Sequence, residues 1–265
     1  MLGVDPDERP AALMRLGVDG LSLGPQSRGR DVLTRTLLSL HVPIASVAVA
    51  DTPRLCAHDR AEQSEAVARA RIEVDRANRL ECAHLVLDLG ALPPTVPRVS
   101  DLIEAFSRGR LAAEDRAAFV RARQVHRAPA MDSVRRSLDA LLPLAQRSGC
   151  AIALLPAATG DALGFPGEFD ELRRDYAGAP LCRWRAVDRE HGLFTLGLIQ
   201  PDARGSAAGA DLADAVGVLL GLPPGCGEVD WKLALSGLDA APRVIVAPLA
   251  REPELRKAVA WLKEA

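Results

Sequence analysis

A helical pattern that runs through one glycine into a short apolar strand constrains the fold of this chain most. Within residues 130–157, five apolar side chains recur at spacings that place them on one face of a helix. Asp132 can cap its first turn and Gly149 can end it. Residues 150–155 then run apolar without alternation, so this strand is predicted to be buried on both faces. The helical face consists of Val134, Leu138, Leu141, Leu142 and Ala145.

The same unit of buried strand and amphipathic helix repeats along the chain, which limits the fold class to a doubly wound sheet or a β/α barrel. The length of 265 residues, 48% of them hydrophobic, suits a barrel, which typically needs about 250 residues. We therefore predict an α/β fold, a TIM (β/α)8-type barrel, as one domain over residues 1–265. Strands are predicted at residues 1–4, 17–24, 43–50, 84–89, 150–155, 181–187, 193–199 and 243–247.

The predicted barrel is irregular around strands six and seven. Only residues 188–192 separate the strand at 181–187 from the strand at 193–199, which is too short for a crossover helix. Either helix six is missing or the two strands form a local hairpin. Helices are predicted to follow at residues 211–220 and 229–238.

Residues 91–129, after strand four, are too long for an ordinary connection between a strand and a helix. Their prolines break structure, and short helices are predicted from Asp101 and over residues 111–126. Because such an insertion lies at the carboxyl end of the strands, it can form a lid over the mouth of the barrel. Alternatively, it only lengthens the fourth helix and shields the side of the barrel.

Composition excludes several classes of function. The net charge of −2, the pI near 6.2 and 3% aromatic residues argue against a nucleic-acid partner. Five cysteines without a C-x-x-C pair argue against a disulfide framework, and we expect reduced thiols in a cytoplasmic protein. No apolar run approaches about 18 residues and the first residues are acidic, so neither a membrane span nor export is expected. The sequence leaves a small-molecule ligand possible, and it leaves a protein partner unknown.

Polar residues at predicted strand ends are the first candidates for a site, because barrel active sites lie there. Asp51 and Asp88 can bind a ligand hydroxyl or cap the following helix. Arg183 and Arg185 share one face of strand six and can bind a phosphate or carboxylate. Since arginine is rarely buried unpaired, an ion pair with Asp or Glu is the alternative for both.

Three local features resemble the xylose isomerase-like TIM barrels, which include sugar phosphate isomerases and epimerases and endonuclease-four-type repair enzymes. The first is the leucine-rich helix with Pro143, followed by Gly149 and the strand into Pro156. The second is the pair Asp188-x-x-His191 after strand six. The third is Gly225-Cys-Gly-Glu-Val-Asp-Trp231, which is similar to a turn before the family's final helix.

The resemblance implies a divalent metal held by carboxylates and imidazole at strand ends. At the corresponding positions this chain has Leu155, Ile199 or a neighbour, and Ala247, and only Asp188, with His191 beside it, matches the set. One carboxylate and one imidazole cannot hold a catalytic metal, so no cofactor is expected.

Two functions of different classes remain open. In the first, the protein is a sugar isomerase/epimerase-like barrel with a degraded metal site that binds a small polar or polyhydroxy ligand through Asp188 and His191. In the second, it is an active isomerase or epimerase on a small sugar or sugar phosphate. That enzyme would use Asp188, His191, Asp51 and Asp88 as replacement acid/base groups, with a divalent metal only in this case.

Overall fold

The computed structural model describes residues 14–24, 30–49, 54–93, 96–157, 159–200, 207–236, 238, 241–246 and 252–264. Within them, seven parallel strands form one sheet, and two further strands form an antiparallel hairpin beside it. The strands of the sheet are β1 (Leu21–Leu23), β2 (Ile44–Ala48), β3 (His84–Asp88), β4 (Ala151–Leu155), β5 (Leu181–Ala186), β6 (Gly209–Leu212) and β9 (Arg243–Ile245). The hairpin strands are β7 (Asp214–Val216) and β8 (Leu219–Leu222).

The parallel sheet follows chain order from β1 to β6 and then β9, with helices in the connections. This is the architecture of a TIM-type α/β barrel, as the sequence predicts. The helices are α1 (Arg30–Leu40), α2 (Arg60–Arg79), α3 (Val99–Ser107), α4 (Ala113–Arg147), α5 (Pro166–Asp175), α6 (Val187–Thr195), α7 (Trp231–Leu235) and α8 (Glu252–Glu264). None of the helices in the described ranges is both long and apolar enough to span a membrane.

The two faces of the sheet bury different sets of side chains, because successive residues of a strand point to opposite faces. The outer face packs on the helices, and residues such as Leu85 and Ile152 belong there to one large apolar cluster. The inner face forms a smaller cluster around Trp184, which is fully buried. This inner cluster consists of Ala48, Val86, Ala153, Leu155, Cys182, Trp184, Ala186 and Val244.

Helix α4 differs from the sequence prediction, because one 35-residue helix replaces two shorter ones. Pro129 and Pro143 both lie inside it. A proline removes one helical hydrogen bond, but the apolar face that follows is almost completely buried, and this packing outweighs the loss. Asp132 therefore does not cap a helix and instead pairs with Arg135. Gly149, with a φ of 68°, follows the helix end as predicted.

The chain between residues 187 and 222 also corrects the prediction. Strand β5 runs directly into α6, so residues 193–199 do not form a strand. Helix six is thus present without a preceding loop, and no hairpin joins the two predicted strands. Residues 211–220 form the end of β6, all of β7 and the first half of β8 instead of a helix, and Gly217, with a φ of 56°, turns the hairpin. The helix predicted at 229–238 shortens to α7.

The segment predicted as an insertion contains α3 and the first half of α4, and it contacts the loop after β4. Leu92 donates its backbone N–H to the carbonyl of Asp161, at 2.9 Å. The side chains of Phe119 and Val99 pack against Gly160. A Cβ atom at this position would lie only 3.1 Å from each of them, so they would have to move to admit a larger residue. The segment therefore lies against the carboxyl end of β4. The strand predicted at residues 1–4 lies outside the described residues.

Candidate functional site

Three carboxylates come together where β3, β5 and β6 end. Asp88 is the last residue of β3, Asp188 lies in the first turn of α6 directly after β5, and Asp211 lies in β6. Because the strands are parallel, their carboxyl ends meet at one edge of the sheet, the mouth of the barrel. Asp88 and Asp188 are predicted site residues from the sequence, whereas Asp211 is not among them.

Arg189 connects the polar groups at this mouth. Its backbone N–H donates to Oδ1 of Asp188, at 2.8 Å. Its guanidinium donates to the carbonyl oxygen of Pro156, at 3.1 Å, and Nη1 lies 3.8 Å from Oδ2 of Asp88. Arg189 also acts electrostatically on Asp211. One cation thus faces three carboxylates.

Asp211 has the largest pKa shift of the three carboxyl groups. Burial raises its pKa from 3.8 to about 6, and the negative charge of Asp188 adds to this rise. The indole N–H of Trp184, which donates to Oδ1 at 2.9 Å, and the charge of Arg189 both oppose it. A carboxyl group with a pKa near 6 can exchange a proton at physiological pH, which is typical of functional sites.

Asp88 and Asp188 are shifted in the same direction. Burial raises the pKa of Asp88, although the N–H of Gly90, at 2.9 Å, and the charge of Arg189 favour its ionised form. Burial likewise raises the pKa of Asp188, against hydrogen bonds from Arg189 and from the backbone of Gly221 in β8. Hairpin β7–β8 therefore reaches the mouth.

His191 follows Asp188 by three residues on α6 and is half-buried. Its Nε2 atom is buried, and no hydrogen-bond partner lies near it in the described part of the chain. An imidazole nitrogen without a partner can accept or donate a hydrogen bond to a ligand. The role predicted for His191 stays a prediction.

Arg183 and Arg185 lie on the opposite face of β5 from Trp184. Both pair with Glu190 of α6: Arg183 Nη2 lies 2.9 Å from Oε1, and Arg185 Nη2 lies 3.1 Å from Oε2. Arg185 also donates to the carbonyl oxygen of Ala234 in α7. These are the ion pairs that the sequence left open as the alternative, and they face the helical layer instead of the barrel interior.

The glycine-rich motif before α7 surrounds a different carboxylate, that of Asp214. This side chain is completely buried and accepts hydrogen bonds from Trp231 Nε1, at 3.1 Å, and from four backbone N–H groups. Those N–H groups belong to Ala215, Gly225, Gly227 and Val229. The motif thus folds the loop around Asp214, and Asp230 caps α7 through the N–H of Leu233.

Two of the three positions that the resemblance assigns to metal ligands, Leu155 and Ile199, lie in the described part of the chain. Leu155 ends β4 with an apolar side chain on the inner face. Ile199 follows α6 outside any strand, so its assignment to a strand-seven position was wrong, and the strand that follows α6 carries Asp211. Within the described ranges, no three His, Cys, Asp or Glu side chains are placed to share a cation. Asp51 and Ala247 lie outside the described residues.

Solved structures with the same architecture include sugar epimerases. A 3-keto-D-glucoside 4-epimerase from E. coli aligns with a TM-score of 0.71 at 12% identity, over 100% of this chain and 97% of that one. The shared fold is a TIM-type α/β barrel. A D-tagatose 3-epimerase-like protein aligns with a TM-score of 0.67 at 15% identity, and the alignment covers 93% of this chain and 87% of that one.

A D-psicose 3-epimerase from Clostridium cellulolyticum, solved with D-tagatose, aligns at a TM-score of 0.66 and 11% identity, over 98% and 93% of the two chains. No family model matches the sequence, and no curated protein matches it. The fold is thus shared at low sequence identity.

Proposed function

We propose that this barrel binds a small polyhydroxy compound at its mouth without metal-dependent turnover. The observation that carries the proposal is the convergence of Asp88, Asp188 and Asp211 around Arg189 at the carboxyl ends of β3, β5 and β6. Carboxylates accept hydrogen bonds from hydroxyl groups, and several acceptors at one mouth suit a ligand with several hydroxyls.

The similar structures support a sugar-like ligand. Their names specify a 3-keto-D-glucoside 4-epimerase, a D-tagatose 3-epimerase-like protein and a D-psicose 3-epimerase, and all three sugars are polyhydroxy carbonyl compounds. Because identity is only 10–15%, ligand class is the furthest that this similarity supports. The apolar side chain of Leu155 at the end of β4 supports binding without a metal, since it cannot coordinate a cation.

A second candidate function is metal-independent isomerisation or epimerisation. Asp188 and Asp211 both have raised pKa values and interact electrostatically. Two carboxyl groups of this kind can act as acid and base in proton transfer next to a carbonyl group. In this case the same mouth would bind the substrate, and Asp188 would exchange a proton with it.

Calorimetric titration with D-psicose and D-tagatose in the presence of EDTA tests the main proposal. We expect saturable binding by the natural protein and at least about tenfold weaker binding by Asp188→Asn, because a buried charged hydrogen bond is lost. Asp75→Asn, an exposed change on α2, is the matched control and should bind normally. Absence of binding by the natural protein, or unchanged binding by Asp188→Asn, contradicts the proposal.

A further inference from the structure

Trp184 and Asp211 form a hydrogen-bonded pair inside the barrel, directly beneath the mouth. The indole Nε1–H donates to Oδ1 of Asp211 at 2.9 Å, and the indole side chain is completely buried. In the register of the sheet, Trp184 lies opposite Gly209, and Ala186 lies opposite Asp211. The indole therefore reaches diagonally toward the carboxyl end of the neighbouring strand.

The position of the indole is fixed on two sides. A Cβ atom added to Gly209 would overlap three carbon atoms of the six-membered ring, so the ring lies directly on the backbone of β6. On another side, the ring of His84 in β3 lies 5.5 Å away, tilted by 57°. Because the ring is confined between the backbone of Gly209 and the ring of His84, its N–H group is held toward Asp211.

The second carboxylate oxygen of Asp211 has a different environment. Oδ2 has no hydrogen bond from the described part of the chain, and the residue is only half-buried. The elements around Asp211 contribute Asp188 and Arg189 from α6 as charged groups, while Trp184 and Ala186 of β5 and Val244 of β9 are uncharged.

We propose that Trp184 is a positioning residue that holds one oxygen of Asp211 against the sheet, so that the other oxygen faces the mouth as an acceptor for a ligand hydroxyl. This proposal rests on the polyhydroxy-binding function above and adds Asp211 to its binding residues. The same hydrogen bond favours the ionised form of Asp211, which burial alone would disfavour.

Titration of Asp211 by NMR tests the positioning role without any ligand. In the natural protein, the Nε1–H resonance of Trp184 should shift with a midpoint near pH 6, and this shift should vanish in Asp211→Asn. In Trp184→Phe, which keeps an aromatic ring but loses the N–H, the midpoint of the Asp211 13C carboxyl resonance should rise by about one pH unit. Trp261→Phe, which removes an indole packed on Trp231, is the control and should leave that midpoint unchanged.

Binding of D-psicose adds a functional measurement. If the Asp211 midpoint rises by about one pH unit, Trp184→Phe should bind about threefold more weakly than the natural protein at pH 6.5 and equally at pH 8.5, because only the ionised fraction is competent. An indole resonance that does not respond between pH 5 and 8, or an unchanged midpoint in folded Trp184→Phe, overturns the proposal. Normal titration of the pair without any D-psicose binding contradicts the proposed function instead, and leaves the positioning geometry supported.

Discussion

Among single residues, the buried carboxylates of this barrel fall into two kinds. Asp214 is surrounded by five hydrogen-bond donors and Glu190 by two arginines, so both have partners that compensate for burial. Asp211 has the indole of Trp184 and the distant charge of Arg189, and its pKa is raised. Incomplete compensation is typical of groups that are kept for function instead of stability.

Asp214→Ala should destabilise the fold severely. The substitution leaves four backbone N–H groups and one indole N–H without their acceptor, and we expect a loss of about 3–5 kcal/mol in the free energy of unfolding. Urea denaturation measures this loss. Asp230→Ala, an exposed helix cap in the same loop, is the comparison and should cost only about 1 kcal/mol. Equal losses in the two variants would show that the hydrogen bonds to Asp214 contribute no more to stability than an ordinary helix cap.

Asp211→Asn should stabilise the fold in a pH-dependent way. The pKa of Asp211 is about 6 in the folded chain and near 3.8 when unfolded, so the folded state binds the proton more tightly. The natural protein therefore loses stability as pH rises from about 4 to about 6, by at most about 3 kcal/mol, and stays at that level above. The stability gain of Asp211→Asn should accordingly grow between pH 4 and pH 7. A gain that is independent of pH would contradict the raised pKa.

At the scale of elements, a buried ion pair connects helix α4 to helix α5, and its hydrogen bonds hold the loop between β4 and α5. Arg123 Nη1 lies 2.6 Å from Oε1 of Glu168, and the guanidinium also donates to the carbonyl oxygens of Gly160 and Ala162. Glu168 in turn accepts the N–H groups of Gly164 and Phe165. The pair thus fixes the loop that borders the mouth.

Arg123→Leu should therefore loosen the mouth as well as lower stability. Removing one partner leaves the Glu168 charge buried, which typically costs about 3–5 kcal/mol. Amide hydrogen exchange should become faster in residues 159–165 than in β3 or β4. Arg108→Leu breaks an exposed pair with Glu104 and should cost less than about 1 kcal/mol with no change in exchange. Equal protection of the loop in both variants would argue against this anchoring role.

The sequence predicts elements well where periodicity and chain direction agree. The strands around Leu85 and Ile152 are recognisable because both faces are buried, and the end of α4 because Gly149 takes a positive φ. The prediction of elements fails between Leu193 and Leu222. Helix α6 follows β5 without a loop, so the elements after it are shifted from their predicted positions. Short apolar runs in this range fit a helix and a strand equally. The hydrogen bonds that the loop residues donate to Asp214 are tertiary contacts, and they favour the strands.

For the whole molecule, the repeating pattern of the barrel makes it possible to predict from the sequence where strands end. It does not predict which side chains pair with the residues at those ends. Asp88 and Asp188 could be selected from sequence because each ends or follows a recognisable strand. Asp211 could not, since its strand was interpreted as a helix, although a run of small residues ending at an aspartate was an available signal. The Arg183 and Arg185 pairs with Glu190 depend on a strand-to-helix junction that only the structure describes.

The barrel as a whole should show no metal-dependent sugar isomerase or epimerase activity. These reactions stabilise an anionic intermediate, and losing one stabilising group typically reduces the rate about a hundredfold to a thousandfold. In the described mouth, Leu155 offers no ligand, and Arg189 is already engaged by Pro156 and Asp88. The measurement is turnover of a panel of ketoses and their phosphates with added Mn²⁺, Mg²⁺ or Co²⁺, using Asp75→Asn as the control.

Turnover that a metal stimulates and that Asp188→Ala abolishes would identify an active metalloenzyme. Turnover that EDTA leaves unchanged and that both Asp188→Ala and Asp211→Asn abolish would instead support acid/base catalysis by the two carboxylates.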